Sequence, residues 1–113
     1  MITEKGTLIV GVEYAGKAHK EFELRPQLVR DSVDAIEDDR AERNESYFGL
    51  CVLSKQIVKL GDIPKEKITT ELLMDMHEVD LAAISDASRR LQKRLQSFRG
   101  QSEASKEAHT GND

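Results

Sequence analysis

A chain of 113 residues forms one domain and buries about two thirds of the surface its unfolded form exposes, enough for a single modest core. A composition of 38% hydrophobic, 34% charged and 4% aromatic residues, with no Trp, describes a thin core under a heavily solvated exterior. The net charge of -4 opposes general affinity for a phosphate backbone, and the longest uncharged apolar run, Tyr47 to Leu53, is too short to span a bilayer, so neither nucleic acid nor membrane is expected as a partner.

The opening segment MITEKGT has no apolar targeting region, and the protein is expected to stay where it is made. Residues Thr7 to Glu13 and Lys17 to Leu24 then alternate in polarity, which predicts two strands and a tight turn. A two-residue loop at Ala15-Gly16 would set Leu8, Val10 and Val12 opposite Glu23, Glu21 and His19. A three-residue loop Tyr14-Ala15-Gly16 pairs them with Phe22, Lys20 and Ala18 instead and is the preferred register. Pro26 ends the second strand and suits the first turn of a helix. Val29, Val33 and Ile36 follow at helical spacing beside Leu28, a narrow stripe expected to face the core while Arg30, Asp31, Asp34, Glu37 and Asp38 face outward. Apolar side chains vanish from Asp38 to Glu45, and a loop is expected near Asn44.

Ser46 can cap a second helix over Tyr47 to Leu60, ended by Gly61 with Pro64 beyond. Its apolar residues wrap most of the circumference, so it is expected to be the central core helix, with Leu50, Leu53, Ile57 and Leu60 at the buried centre and Cys51 a small core residue. Thr69-Thr70-Glu71 opens a short helical turn carrying Leu72, Leu73 and Met76. Asp80 can cap the last helix, where Leu81, Ile84, Ser88, Leu91, Leu95 and Phe98 form a heptad seam that wants a partner helix. The sequence after Gly100 holds no apolar residue larger than Ala and is expected to be disordered. The fold class is therefore α+β, mostly α: one domain over residues 1–100, an N-terminal β-hairpin followed by a bundle of three to four helices, with a disordered tail over 101–113.

Catalytic chemistry finds little support. The segment Asp75 to Asp80 sets His77 among three carboxylates, but a single imidazole without a His-x-x-x-His pair reads better as a polar helix junction than as a metal or acid-base site. His19 is placed on the polar face of the second strand and His109 in the tail, so no triad can be built. No glycine spacing resembles a phosphate-cradling loop. One cysteine excludes an internal disulfide and a multi-thiolate zinc site. No enzyme activity and no cofactor are expected.

Charge is segregated along the chain. From Arg30 to Glu45 seven acidic residues stand against three basic, a local -4, while Ala87 to Arg99 carries Arg89, Arg90, Lys93, Arg94 and Arg99 with no acid. Solvated faces that attract one another explain this as well as a partner-facing patch does. With no aromatic residue interleaved, the basic helix does not have the composition of a nucleic-acid reader. The residues expected to hold a partner are Leu81, Ile84, Leu91, Leu95 and Phe98 of the seam, with Arg90 and Arg94 guiding acidic groups at its rim, since the first helix offers a stripe too short to cover the whole seam.

Taken together, the hairpin with Tyr14-Ala15-Gly16, the junction Phe22-Glu23-Leu24-Arg25-Pro26 leading into Leu28 to Ala35, and the late segments Ile68 to Leu73 and Val79-Asp80-Leu81 resemble the small tail assembly chaperones of long-tailed bacteriophages. The similarity covers the order of elements from Thr7 to Leu95. It implies a non-catalytic protein that binds the tape measure protein, keeps it soluble and helps recruit tail tube subunits, with a homo-oligomer among its expected states, in the bacterial host cytoplasm and absent from the mature virion. Two other classes stay open on the residues alone. One is a small helical regulatory adaptor or antitoxin-like protein that dimerises through its C-terminal helix, and the other is a regulator that uses the basic helix on nucleic acid.

Overall fold

The computed structural model describes residues 1–110, with side chains described through Phe98. Strands β1 (Glu4–Tyr14) and β2 (Lys17–Leu24) form an antiparallel hairpin, and β3 (Ile57–Leu60) adds to β2, giving a three-stranded sheet in the order β1-β2-β3. Helices α1 (Val29–Ala35), α2 (Asp39–Arg43) and α3 (Glu45–Gln56) lie between β2 and β3. A 3-10 turn at Lys65–Lys67, the short α4 (Thr70–Met74) and the long α5 (Glu78–Thr110) complete the chain. The architecture is α+β as expected. The tail expectation bears on residues beyond the described side chains, and 111–113 lie outside the description altogether.

The hairpin turn corrects the expected register. Tyr14 pairs with Lys17, so the loop is the two-residue Ala15-Gly16, with φ of 53° and 83°, the twist that matches two flanking strands. The apolar mismatch this creates is resolved further along. Between the pairs Val12–His19 and Thr7–Glu21, four residues of β1, Leu8 to Gly11, stand opposite Lys20 alone. Gly11 takes φ +100° at this bulge, a conformation that side chains rarely adopt. The shift brings Leu8, Val12, Phe22 and Leu24 into the core together. It also buries His19, which the alternation placed on the polar face. Its Nδ1 accepts the Asp62 N–H at 3.1 Å, which leaves Nε2 to donate to the Tyr14 carbonyl at 2.9 Å.

The bulge is held by α5. The Asp80 carboxylate, fully buried, accepts the N–H groups of Ile9, Val10 and Gly11 at 2.7, 2.9 and 2.8 Å. Asp80 therefore does not cap its own helix but satisfies three donors that the bulge takes out of the ladder. Burial pushes its carboxyl up, yet the three donors outweigh burial and hold it below the usual carboxylate range. With this anchor set, Ile84, Ala87 and Leu91 pack down on the sheet.

The second helix is shorter than its apolar run suggests. It ends at Gln56, whose carbonyl accepts the Arg25 N–H at 2.9 Å and whose side chain returns a bond to the Arg25 carbonyl at 3.1 Å. β-branched Ile57 and Val58 then continue as strand, and Ile57 and Leu60 reach the core from β3, pairing with Leu24 and Phe22. Leu50 and Leu53, expected at the buried centre, are only half-buried. The cap of α3 is Asn44, which accepts the Tyr47 N–H, rather than Ser46. Asp38 caps α2 in the stretch expected to be loop. A smaller core of Ala35, Ala41, Tyr47, Cys51 and Val52 joins these helices, fastened by the Tyr47 hydroxyl donating to Asp38 and by the Arg40 guanidinium 4.1 Å over the Tyr47 ring.

Candidate helix-docking surfaces

The orientation of α1 is set by one ion pair. Arg25, extended ahead of Pro26, donates from two nitrogens to the two oxygens of Asp31 at 2.8 and 2.9 Å, and the Leu28 N–H also donates to Asp31 at 2.8 Å. Asp31 is 2% exposed. The Arg25 guanidinium, by hydrogen bonding to it, holds this carboxyl below the usual range against the opposing effect of burial. At about 100° per residue, Val29, Val33 and Ile36 occupy an arc of about 60° on the side opposite Asp31. Turning the acid inward therefore turns the stripe outward: Val29, Val33 and Ile36 are 84, 57 and 52% exposed. The expected arrangement, stripe in and acid out, is inverted. Around this apolar stripe the exposed charges are mixed: among the described residues Asp34, Glu37, Asp39, Glu42 and Glu45 have no ion-pair partner, and neither do Arg30 and Arg43.

A second surface lies between α3 and α5, a groove of about 610 Å³. Its floor is made by half-buried Leu50 and Leu53 from α3 and Leu81 from α5. Small residues, Gly49 on one wall and Ser85 and Ser88 on the other, keep it wide. These positions recur every three or four residues on each helix, so each wall is a straight stripe, and the run from Ser46 to Gln56 is about 15 Å long. A Cβ added at Gly49 would meet nothing within 4 Å, so a partner backbone can approach there closely.

The seven residues expected to bind a partner are scattered by the fold. Leu81 lines the groove. Ile84 and Leu91 are 0 and 1% exposed and belong to the main core, which corrects their placement on a binding surface: the seam's internal partner is the sheet rather than α1, and it covers more of the seam than a helix stripe could. Beyond the sheet the same stripe runs on, with Leu95 half-buried and Phe98 53% exposed. Arg90 and Arg94 both donate to Glu4, at 3.0 and 2.7 Å, and Arg94 also donates to the Thr3 carbonyl. Those bonds, Arg90 first and then Arg94, hold the Glu4 carboxyl below its usual range. The two arginines thus tie the strand's start to α5.

Other sites considered from the sequence do not assemble. Asp75, His77 and Glu78 are exposed and diverge from buried Asp80, and among the described residues no group of three or more His, Cys, Asp or Glu side chains could hold a metal ion. Comparison of the chain with family models, with curated proteins and with solved structures finds no match.

Proposed function

We propose that this protein is a non-catalytic binding module for an amphipathic helix, and that it acts as a tail assembly chaperone that keeps a tape measure protein soluble and presents it to tail tube subunits in the host cytoplasm. The observation that carries this reading is the α3/α5 groove, an apolar floor between walls that include Gly49, Ser85 and Ser88, with no helix among the described residues lying in it. A long helical client exposes apolar stripes of the same period, and a groove wall of Leu, Gly and Ser receives such a stripe by close backbone approach. No helix among the described residues is long and apolar enough to cross a membrane.

The test is to fill the groove without harming the fold. Gly49 is an exposed position within α3 with free space at its Cβ, and Leu is the better helix former, so Gly49→Leu should fold at least as well as the natural chain. Co-expression of the natural chain with a helical tape measure fragment should yield a soluble complex, and Gly49→Leu should abolish it at an unchanged or raised Tm. A complex that survives Gly49→Leu and the wall variant Ser85→Trp would remove the groove from the reading.

A further inference from the structure

The α3/α5 groove has two chemically different ends, because both of its walls start at the same place. Arg40 lies over the Tyr47 ring at 4.1 Å and donates to Glu71 at 3.0 Å and to the Met74 sulfur at 3.5 Å. The end of α4, and with it the start of α5, therefore stands beside the first turn of α3. At the other end Gln56 exchanges bonds with Arg25, next to Leu24, and Leu24 pairs with Glu4, the residue that Arg90 and Arg94 of α5 reach. The two helices thus run in the same direction along the groove. Its lining spans Ser46 to Gln56 on one and Glu78 to Ser88 on the other, about 15 Å each. Glu78 is the one charged residue in that lining, exposed and without an ion-pair partner among the described residues. On the elements that meet at this end Glu42, Glu45 and Asp75 are further acids without an ion-pair partner there, against Arg43 as the cation. The far end is lined by uncharged Gln27, Gln56 and Ser88, and the cations beyond it, Arg25, Arg89 and Arg90, are each tied to an acid.

We propose that the groove is directional: it takes an amphipathic helix of about three turns that runs antiparallel to α3 and α5 and sets a Lys or Arg of its last turn against Glu78. The direction follows from how a helix distributes charge. Cations are favoured in the last turn, where carbonyls are left unpaired, and acids in the first, where N–H groups are. An antiparallel helix brings its cations to the acidic end of the groove and its acids to the end whose lining is uncharged. A parallel helix sets acid against acid, and that repulsion rejects it. The floor of Leu50, Leu53 and Leu81 supplies affinity in either direction, so the charge at one end selects the orientation and the partner's charge pattern. Both depend on the groove being a helix site and add to that reading which helix it takes.

The test uses two synthetic peptides of equal length and composition, each with the same Leu and Ala stripe over about three turns and each stapled so that it is helical. One carries acids in its first turn and lysines in its last, and the other carries them reversed. A nitroxide at the C-terminus reports direction. At low salt the acid-first peptide should bind the natural chain about tenfold more tightly than the lysine-first one, a preference that shrinks as salt rises. Its nitroxide should broaden the amide signals of Ser46 and Glu78 more than those of Gln56 and Ser88. Glu78→Lys changes an exposed side chain, so it should keep the natural circular dichroism spectrum and reverse the preference, with Glu78→Gln in between. Equal binding of the two peptides, a preference untouched by Glu78→Lys, or broadening centred on Gln56 and Ser88 would overturn the direction. Where that binding is lost in Gly49→Leu, the groove itself stands and only the direction fails. Binding that survives Gly49→Leu lies outside the groove and overturns both readings, as does the absence of binding by either peptide. Dimers of the natural chain that dissociate in Gly49→Leu would make a second copy the occupant and overturn the proposed partner.

Discussion

Helices α1 and α5 carry the same sequence signal, an apolar stripe at spacings of three and four, and the fold treats them oppositely. The α5 stripe is buried through Ile84, Ala87 and Leu91, whereas the α1 stripe of Val29, Val33 and Ile36 faces out. Each helix also has an acid in its first turn that is buried and tied to the hairpin, Asp80 to the β1 bulge and Asp31 to Arg25 at the end of β2. The difference lies in where that acid stands on the wheel. Asp80, Ile84, Ala87 and Leu91 fall within an arc of about 60°, so anchoring the acid and burying the stripe are one rotation. Asp31 is opposite its stripe, so the two demands conflict. Stranding one member of a buried ion pair costs about 3–5 kcal/mol, the same order as burying aliphatic side chains at about 1.5–3 kcal/mol each, and in α1 it is the carboxylate that is kept inside.

The largest effect should come from removing the anchor that both demands share in α5. Asp80→Ala leaves three N–H groups of the bulge without their acceptor, and urea denaturation should show a loss of about 3–5 kcal/mol. The pH profile follows from the same bonds. Asp80, Asp31 and Glu4 are all depressed in the folded protein, so each contributes stability above its unfolded value and loses it as pH falls through its folded value. Stability should hold from neutrality down to about pH 5 and then decline, and Asp80→Ala should make the decline shallower. An equally steep acid loss in that variant would mean that Asp80 is not among the groups responsible.

Next in size is the contrast between the stripes themselves. Ile84→Ala or Leu91→Ala opens a cavity in the core and should cost about 2–5 kcal/mol, while Val29→Ala and Val33→Ala should each stay within about 0.5 kcal/mol. Thermal melts of all four distinguish a covered stripe from an open one. Comparable losses in both helices would show that α1 turns its stripe inward in solution.

The sequence shows the α+β class, the short helix opening at Thr69-Thr70-Glu71, the buried Cys51 and the core positions Ile57 and Leu60. It does not show β3, because Ile57 to Leu60 extends an apolar run that a buried helix would also have, and α3 stops where Gln56 exchanges two bonds with distant Arg25 and Ile57 joins β2. Nor does it show the bulge. That feature lets a two-residue turn coexist with an apolar face, and its acceptor is 69 to 71 residues away on α5. Of the expected binding residues, Leu81, Leu95 and Phe98 lie on accessible surfaces and Ile84 and Leu91 do not, since the heptad pattern cannot say whether its partner is a helix or a sheet. The outward turn of α1 does have a sequence signal: Arg25 stands just before Pro26 and Asp31 in the first turn of the helix that follows, where an acid accepts from the helix's opening N–H groups.

The lock on α1 is the next test. Asp31→Ala strands a largely buried guanidinium and should cost about 3 kcal/mol, but Arg25→Met with Asp31→Leu replaces both charges with apolar groups and should recover most of that loss. If the pair sets the rotation, the double variant gives α1 two choices of buried face. Hydrogen exchange and methyl NMR of Val29 and Val33 should then report a mixture of exposed and covered states. A single exposed state would show that Ala35 and its neighbours in the smaller core hold the rotation without the ion pair.

The smallest effect concerns the groove. Gly49 is a helical position in α3 with nothing within 4 Å of an added Cβ and without the positive φ seen at Gly11 and Gly61. Gly within a helix costs about 0.5–1 kcal/mol relative to Ala, through the backbone freedom it loses on folding. Gly49→Ala should therefore stabilise the isolated chain by about that amount, read as a raised Tm. A glycine that weakens α3 while packing against nothing in its own chain is accounted for if a partner backbone needs the space. Gly49→Ala should then raise Tm and at the same time weaken the helical partner, less severely than Gly49→Leu and in the order of added volume. Stabilisation without any loss of binding across Ala and Leu would mean that the groove wall is free to grow, and the docked helix would have to lie elsewhere.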